Sequence, residues 1–281
     1  MSKTIELRVI PSSTQARIIW DIALVGVGGT GGYILQSLTR MFKAFDTEGC
    51  LTLADGDVVE EHNLRRQNFI QADVGKKKVD VLARRYGNVY DMDIRKIGNY
   101  LETMDAVKQL FTMKSDFNSY PGVQVIKVLI GAVDNNATRR LLHDHFMDSP
   151  SLIYIDAGND GVLPISEEIS EEDERESGYS GQVVLGVRHN SRTILEPVGG
   201  VYSDVLGNAT DFFPSQACGR AVVNYPQRMQ TNLMATTVVL GYLNTILSEG
   251  VAVSHYTNFN ARNQVVRTEY ITSDYLKGIQ K

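Results

Sequence analysis

Cysteine is almost missing from this chain of 281 residues; Cys50 and Cys218 are its two examples. Two thiols supply neither a disulfide framework nor a four-thiolate zinc site, and they suit a reducing cytoplasm. Long apolar runs are missing as well. Nowhere do about eighteen apolar residues follow one another, and the opening Met-Ser-Lys-Thr-Ile-Glu-Leu-Arg carries no apolar stretch, so neither membrane insertion nor export is expected. An excess of positive charge is also lacking. Lys and Arg number 28 against 33 Asp and Glu, and a net charge of -5 argues against a general nucleic-acid binder. No internal repeat is visible, and no linker between Gly158 and Gly181 divides the chain into two independently folded domains.

What the chain does have is a hydrophobic content of 43%, ample for a packed core, and a concentration of glycine in one place. Over 22–32 it reads Ile-Ala-Leu-Val-Gly-Val-Gly-Gly-Thr-Gly-Gly, an apolar strand that breaks into glycines and becomes a helix. Gly26, Gly28 and Gly31 form a G-x-G-x-x-G, in which one glycine makes the tight turn, one lets backbone approach a phosphate and one packs helix on strand. A helix expected over 33–45 points its N-terminus, with free amides and the positive end of its dipole, at the same spot. A nucleotide fits this arrangement. The next apolar strand, 51–54, ends in Asp55, near the spacing at which an acid meets a ribose hydroxyl. Dinucleotide and mononucleotide folds both satisfy these features.

Further on, apolar periodicity alternates between strand and helix. Helices are expected over 79–86, 101–113 and 137–146, and strands over 91–97, 125–133 and 152–155. The pattern predicts a Rossmann-like, mainly parallel sheet with helices on both faces. Gly26, Asp55, Asp134 and Asp156 fall at or beyond strand ends, where such sheets bind ligands, and are expected to share one crevice. Beyond Gly158 the texture changes. Residues 166–177 hold seven acidic side chains against Arg175 and are expected to stay solvated and mobile. A strand over 182–187 precedes a long polar connection, 189–218, of the length typical of a functional crossing or lid. A helix over 226–248 carries an apolar stripe of Met229, Leu233, Leu240, Leu243 and Leu247 with Thr236, facing the core or a dimer partner. Strands over 254–258 and 265–271, joined through Asn260-Ala-Arg-Asn263, form an antiparallel C-terminal hairpin. His143 and His145 are too close-set to be two ligands on one helix face and read as an exposed helix end.

After Asp55 come Gly-Asp57-Val-Val-Glu-Glu-His-Asn63-Leu-Arg-Arg66-Gln67, then Gly75-Lys-Lys-Lys78, then a strand ending Asp134-Asn135. In order and spacing this resembles the ThiF/MoeB/HesA family, adenylating enzymes built like ubiquitin-activating enzyme, whose glycine loop is followed by D-x-D, N-L-x-R-Q, G-x-x-K and D-N. The later segments Tyr154-Ile-Asp-Ala-Gly-Asn159, Ser180-Gly-Gln-Val-Val-Leu-Gly186, Pro214-Ser-Gln-Ala-Cys218 and Gln230-Thr-Asn-Leu are similar to a narrower branch, the ThiF-like proteins of PRTRC-type mobile gene sets. The resemblance implies a single adenylating domain over 1–281. Its nucleotide-binding half would be 18–160, and 161–281 would hold a crossover loop, a helix and closing strands.

The resemblance implies ATP- and Mg²⁺-dependent adenylation of the C-terminal carboxylate of a small ubiquitin-like or sulfur-carrier protein. An anion must then approach a polyanion, so cations placed where charge accumulates lower the barrier most. By resemblance Arg66 and Lys78 bind phosphate, Asp134 holds Mg²⁺, and Gly26, Gly28, Gly29, Gly31, Asp55, Asp57, Asn63, Gln67 and Asn135 form the nucleotide site. Asp55 resembles the ribose ligand. Cys218 occupies the family's crossover region, where a cysteine receives the activated acyl group, and Arg220 beside it favours the thiolate. Homodimerisation is also implied. Two alternatives stay open, an NAD(P)- or FAD-dependent oxidoreductase and a non-catalytic binding scaffold. The Arg-Tyr-x-Arg-Gln opening of many relatives is absent, which leaves an arginine donated in trans without a source, and their Cys-x-x-Cys zinc pairs are absent too.

Overall fold

The computed structural model describes residues 4–10, 16–111, 122–207, 213–214 and 227–279. After a two-residue strand, β1 (Leu7–Arg8), comes β2 (Arg17–Val25), which is buried from Trp20 to its end. Its near-continuous apolar sequence is what a strand covered on both faces requires. Ile22 and Leu24 pack on one side of the sheet and Ala23 and Val25 on the other, so two separate cores form. From β2 the chain enters α1 (Gly29–Ala44), which begins four residues earlier than its apolar periodicity suggests because the glycines themselves make its first turn.

Next come β3 (Gly49–Ala54), α2 (Lys78–Tyr90) and β4 (Ile94–Ile97), with two 3₁₀ turns, Glu61–Arg65 and Gln71–Asp73, between β3 and α2. The short α3 (Met104–Lys108) starts at a Thr103 cap and is less than the helix expected over 101–113. It is followed by β5 (Val123–Gly131), α4 (Asn136–Asp148) and β6 (Leu152–Asn159). The sequence-predicted βαβ arithmetic holds here. These strands lie in the order β4, β3, β2, β5, β6, all parallel, so the order reverses between β2 and β5. That reversal opens a crevice at the strands' carboxyl ends, where open α/β sheets take ligands.

The acidic run is exposed, as its composition requires, but it is not shapeless. Ser170 caps α5 (Glu171–Glu176) by accepting from the Asp173 amide, while Asp173 accepts back from Ser170. Arg228 fastens the segment from outside, donating to Ser177 O and Glu174 O at 2.9 Å each. The sheet continues antiparallel through β7 (Ser180–His189), and β8 (Arg192–Leu195) folds back on it. With α6 (Val198–Val201) and α7 (Asp204–Gly207) following, the first part of the expected 189–218 loop is structured.

The long helix α8 (Met229–Glu249) turns inward the later part of the stripe its leucines mark, Thr236, Leu240, Leu243 and Leu247, but not the first part. Thr231, Asn232, Ala235, Thr236, Val239, Tyr242, Leu243 and Ile246 are buried, whereas Met229 and Leu233 are exposed. Small and hydroxylated side chains let α8 come close to the glycine-rich start of α1, which a leucine stripe would hold away. Two residues of β9 (Val251–Ala252) pair with β1, and β10 (Ser254–Asn260) lies between β7 and β11 (Val265–Tyr270), the sheet's last strand. The predicted hairpin is thus present. A final helix, α9 (Ser273–Ile279), follows. Among the described residues no helix is long and apolar enough to cross a membrane.

Candidate nucleotide site

Gly26 marks the point where β2 ends against the exit of β5. Its amide donates to Ala54 O at 2.8 Å, its φ is +82°, and a Cβ there would lie 2.5 Å from Ala132 O. Gly31 packs so closely on Gly26 O that a side chain at Gly31 would separate α1 from β2. Gly28 is the residue before α1, so the amides of the first helical turn have no intrahelical partner and open toward the crevice. A Cβ on Gly28 would stand 3.5 Å from Gln67 Nε2, and buried Gln67 Oε1 has no partner among the described residues. Gln67 is therefore a donor and acceptor set against the loop with capacity unused.

Behind this loop Asp55 binds backbone on both sides. One carboxylate oxygen accepts from the Val27 amide and the other from the Asp57 amide, each at 2.8 Å. Burial pushes its carboxyl above the usual range, with the Lys78 charge opposing and the nearby Asp57 adding to the rise. Asp57 meets buried Lys78 at 2.7 Å and accepts from Tyr100 Oη at 2.5 Å. Burial also pushes Asp57 up, but the charge and hydrogen bond of Lys78 and the bond from Tyr100 outweigh it, so its carboxyl is held below the usual range. Lys78 begins α2, and its own amide donates to Asp57 O at 3.1 Å. Of the three neighbouring lysines, Lys78 is the one turned inward.

Asn63 is buried and accepts from the Glu60 amide at 2.9 Å, closing the 3₁₀ turn that delivers Arg66 and Gln67. Among the described residues the Arg66 side chain has neither an ion pair nor a hydrogen bond. Asp134 lies exposed in the turn between β5 and α4, also without such a partner among the described residues, and Asn135 caps α4 by accepting from the Thr138 amide at 2.8 Å. Cys218 and Arg220 lie outside the described residues.

Two expectations change. Asp156 does not open into the crevice; it is buried, with one oxygen 2.9 Å from Arg139 Nε in an ion pair poorly aligned for a hydrogen bond. Its other oxygen accepts from Tyr154 Oη at 2.7 Å. Burial raises its carboxyl, with Arg139 and Tyr154 opposing. His143 and His145 are not an exposed helix end either, because α4 turns both toward the sheet and its covering segments. His145 stacks on Phe111 with ring centroids 5.9 Å apart, and burial, with help from Lys127 and Lys108, lowers its pKa to about 4.

Three further residues, given no role from the sequence, reach this site. Arg139, 7% exposed, donates to Val133 O and Asn136 Oδ1 at 2.8 Å each, which fixes the turn bearing Asp134. Tyr100 orients Asp57. Asn232 of α8 lies fully buried against Gly29, its Oδ1 accepting from Asn159 Nδ2 at 3.0 Å and from Thr30 Oγ1 at 3.2 Å. The spacing of Asn136 and Arg139, three residues apart on α4, is the one of these relations that a helix reading could have found.

A parallel sheet with a glycine loop at its switch point, acids behind the loop and a buried lysine beside them defines a Rossmann-like nucleotide-binding protein. A model of the ThiF family matches residues 1–279, and the chain belongs to that family. Among solved structures it is similar to PaaA, at 17% identity and TM-score 0.58, covering 90% of this chain and 64% of that one. It is likewise similar to MccB of E. coli solved with ATP, at 14% identity and TM-score 0.55, covering 90% of this chain and 63% of that one. MccB with AMPCPP and MccA gives 14% and 0.56, over 90% and 64%. These likenesses are of fold, and the chain spans less than two thirds of those longer proteins. No curated protein matches it in sequence.

Proposed function

We propose that this chain is an adenylyltransferase that activates the C-terminal carboxylate of a small ubiquitin-like or sulfur-carrier protein with ATP. The observation that carries the proposal is the gathering of Gln67, Asp55, Asp57 and Lys78 around the glycine loop of a ThiF-family chain. MccB, of the same fold, has been solved with ATP and with AMPCPP and MccA, which supports the choice of nucleotide and of a small polypeptide substrate.

The residues fit such a ligand. Side-chain-free backbone at Gly28 admits phosphates, the unused oxygen of Gln67 is free for a nucleotide donor, and Lys78 and Arg66 supply positive charge. Asp134 offers a hard oxygen ligand not engaged by any described residue, which suits Mg²⁺ held by few carboxylates together with phosphate oxygens and water. When bound there, Mg²⁺ would neutralise phosphate charge. In the reaction a carboxylate oxygen of the carrier bonds to the α-phosphorus, the bond from that phosphorus to the bridging oxygen breaks, and pyrophosphate leaves with the electron pair. Lys78 and Arg66 stabilise the charge that accumulates, and Asp55 holds the ribose end. The Cys218 thiolate then attacks the acyl carbon, forms a thioester and releases AMP. We assign the whole chain to one adenylating domain acting in the cytoplasm, as a homodimer.

Pyrophosphate exchange with ATP, Mg²⁺ and a candidate carrier tests the proposal, and exchange dependent on the carrier is expected. Absence of exchange with every carrier, together with tight NADH binding, would overturn the proposal. Cys218→Ala is expected to form adenylate yet lose any bond to the carrier that a thiol reductant cleaves. Survival of that bond assigns the nucleophile to another residue.

A further inference from the structure

At the amino ends of the parallel strands, the pole opposite the glycine loop, a cavity of about 540 Å³ opens at the ends of α1 and α8. That volume lies within the range of small-molecule sites, about 300–1,000 Å³. Ile10 and Trp20 are buried and, with half-buried Ile18, form its floor; half-buried Leu247 and exposed Phe45 complete the apolar part of the lining. None of these residues belongs to the nucleotide crevice.

The charge of the cavity follows from the packing of its two helices. α1 and α8 pack on each other, and both begin beside the glycine loop, where Asn232 lies against Gly29, so they run in the same direction. Their last residues and their caps, Phe45 and Gly250, therefore come together at the cavity. Each carboxyl end carries about half a negative elementary charge, and its final carbonyls have no partner within the helix. Side chains add to this. Asp46, Glu48 and Glu249 line the space against Arg8 and Arg17, and Arg17 is taken up by Glu48 in an ion pair. Neither Asp46 nor Glu249 has an ion pair among the described residues, and Lys43, in the last turn of α1, is outside the lining. Two carboxylates and two helix ends thus stand against Arg8, an excess of negative charge beside an apolar floor.

We propose that this cavity binds a small amphipathic amine, its ammonium head near Asp46, Glu249 and the helix ends and its aromatic or branched aliphatic body on Trp20, Phe45 and Leu247. An ammonium has three donors and no acceptor, which matches a lining of carbonyls and carboxylates. Aromatic rings in the lining favour a cation over an anion of the same shape. The apolar body supplies the rest of the affinity by leaving water for the floor. The site does not rest on the adenylation reading.

Trp20 is the single tryptophan and lines the cavity, so its fluorescence reads occupancy. Titration of the full chain with 2-phenylethylamine should give a saturable change. 3-Phenylpropionate, with the same ring and the opposite charge, should bind at least about tenfold more weakly. The double variant D46N/E249Q removes both unpaired carboxylates from exposed positions, and asparagine keeps the left-handed backbone of residue 46 (φ +50°). It should keep the wild-type melting curve and raise the dissociation constant of the amine about tenfold or more. The proposal is overturned by the lack of a saturable change up to about 10 mM amine, where even a millimolar site would fill. Equal affinity for the carboxylate would overturn it too, as would an unchanged dissociation constant in the folded double variant.

Discussion

Lys78 and Asp134 show how differently two charged residues of one crevice are held. Lys78 is 5% exposed and bonded to Asp57, whereas Asp134 is exposed and makes no such contact with described residues. Removing Asp134 therefore costs the fold almost nothing. Asp134→Ala should retain the wild-type melting curve while pyrophosphate exchange falls about 100-fold or more. Lys78→Met should lose activity on the same scale and also about 2 kcal/mol of stability in urea denaturation. That is below the full cost of breaking a buried pair because the Asp57 side chain is 43% exposed. Equal stability losses in the two variants would contradict the burial difference, and an active Asp134→Ala would remove its assignment as the metal ligand.

At the scale of elements, α4 carries the most testable chemistry outside the crevice. Its His145 is neutral in the folded state, with a pKa of about 4 against 6.5 for the free side chain. Unfolding lets it take up a proton. Stability is therefore complete above about pH 6.5, declines as pH falls toward 4, and has lost His145's share, up to about 3 kcal/mol, below that. Burial lowers His143 and His255 as well, which adds to the same trend. Melting temperatures between pH 7 and pH 5 should fall less steeply in His145→Gln than in the wild type. Identical slopes would show that the ring is already hydrated. Nothing in the linear order of residues warned of this, since two histidines at a polar helix end carry no mark of the Phe111 ring that covers one of them. The spacing of leucines in α8 marked Leu243 but missed the part of the buried face near the glycine loop, because close approach to glycines rewards threonine, asparagine and alanine over leucine.

Across the whole molecule the two halves of the chain are sewn together at the glycine loop. Asn232 lies against Gly29, Thr236 Oγ1 donates to Thr30 O at 3.3 Å, and the sheet runs without interruption from β4 to β11. Shared packing of this kind makes cooperative units. Trp20, the single tryptophan, lies 4% exposed in β2, in the core that this strand shares with α8. Its fluorescence and far-ultraviolet circular dichroism should trace one coincident urea transition. Two separated transitions would show that 18–160 and 161–281 fold independently.

The sequence by itself determined the alternation of strands and helices, the glycine turn, the terminal hairpin and the family, because apolar period and glycine placement are local properties that survive in one dimension. The order of Asp55, Lys78 and Asp134 was likewise legible. Tertiary structure alone decided which charges are buried and paired, that Asp156 belongs to Arg139 and Tyr154, and that Arg228 fastens the acidic helix. Apart from Tyr154 and Asp156, both of β6, those relations join residues from separate elements, and burial, the quantity that sets their energies, exists only once the elements have packed.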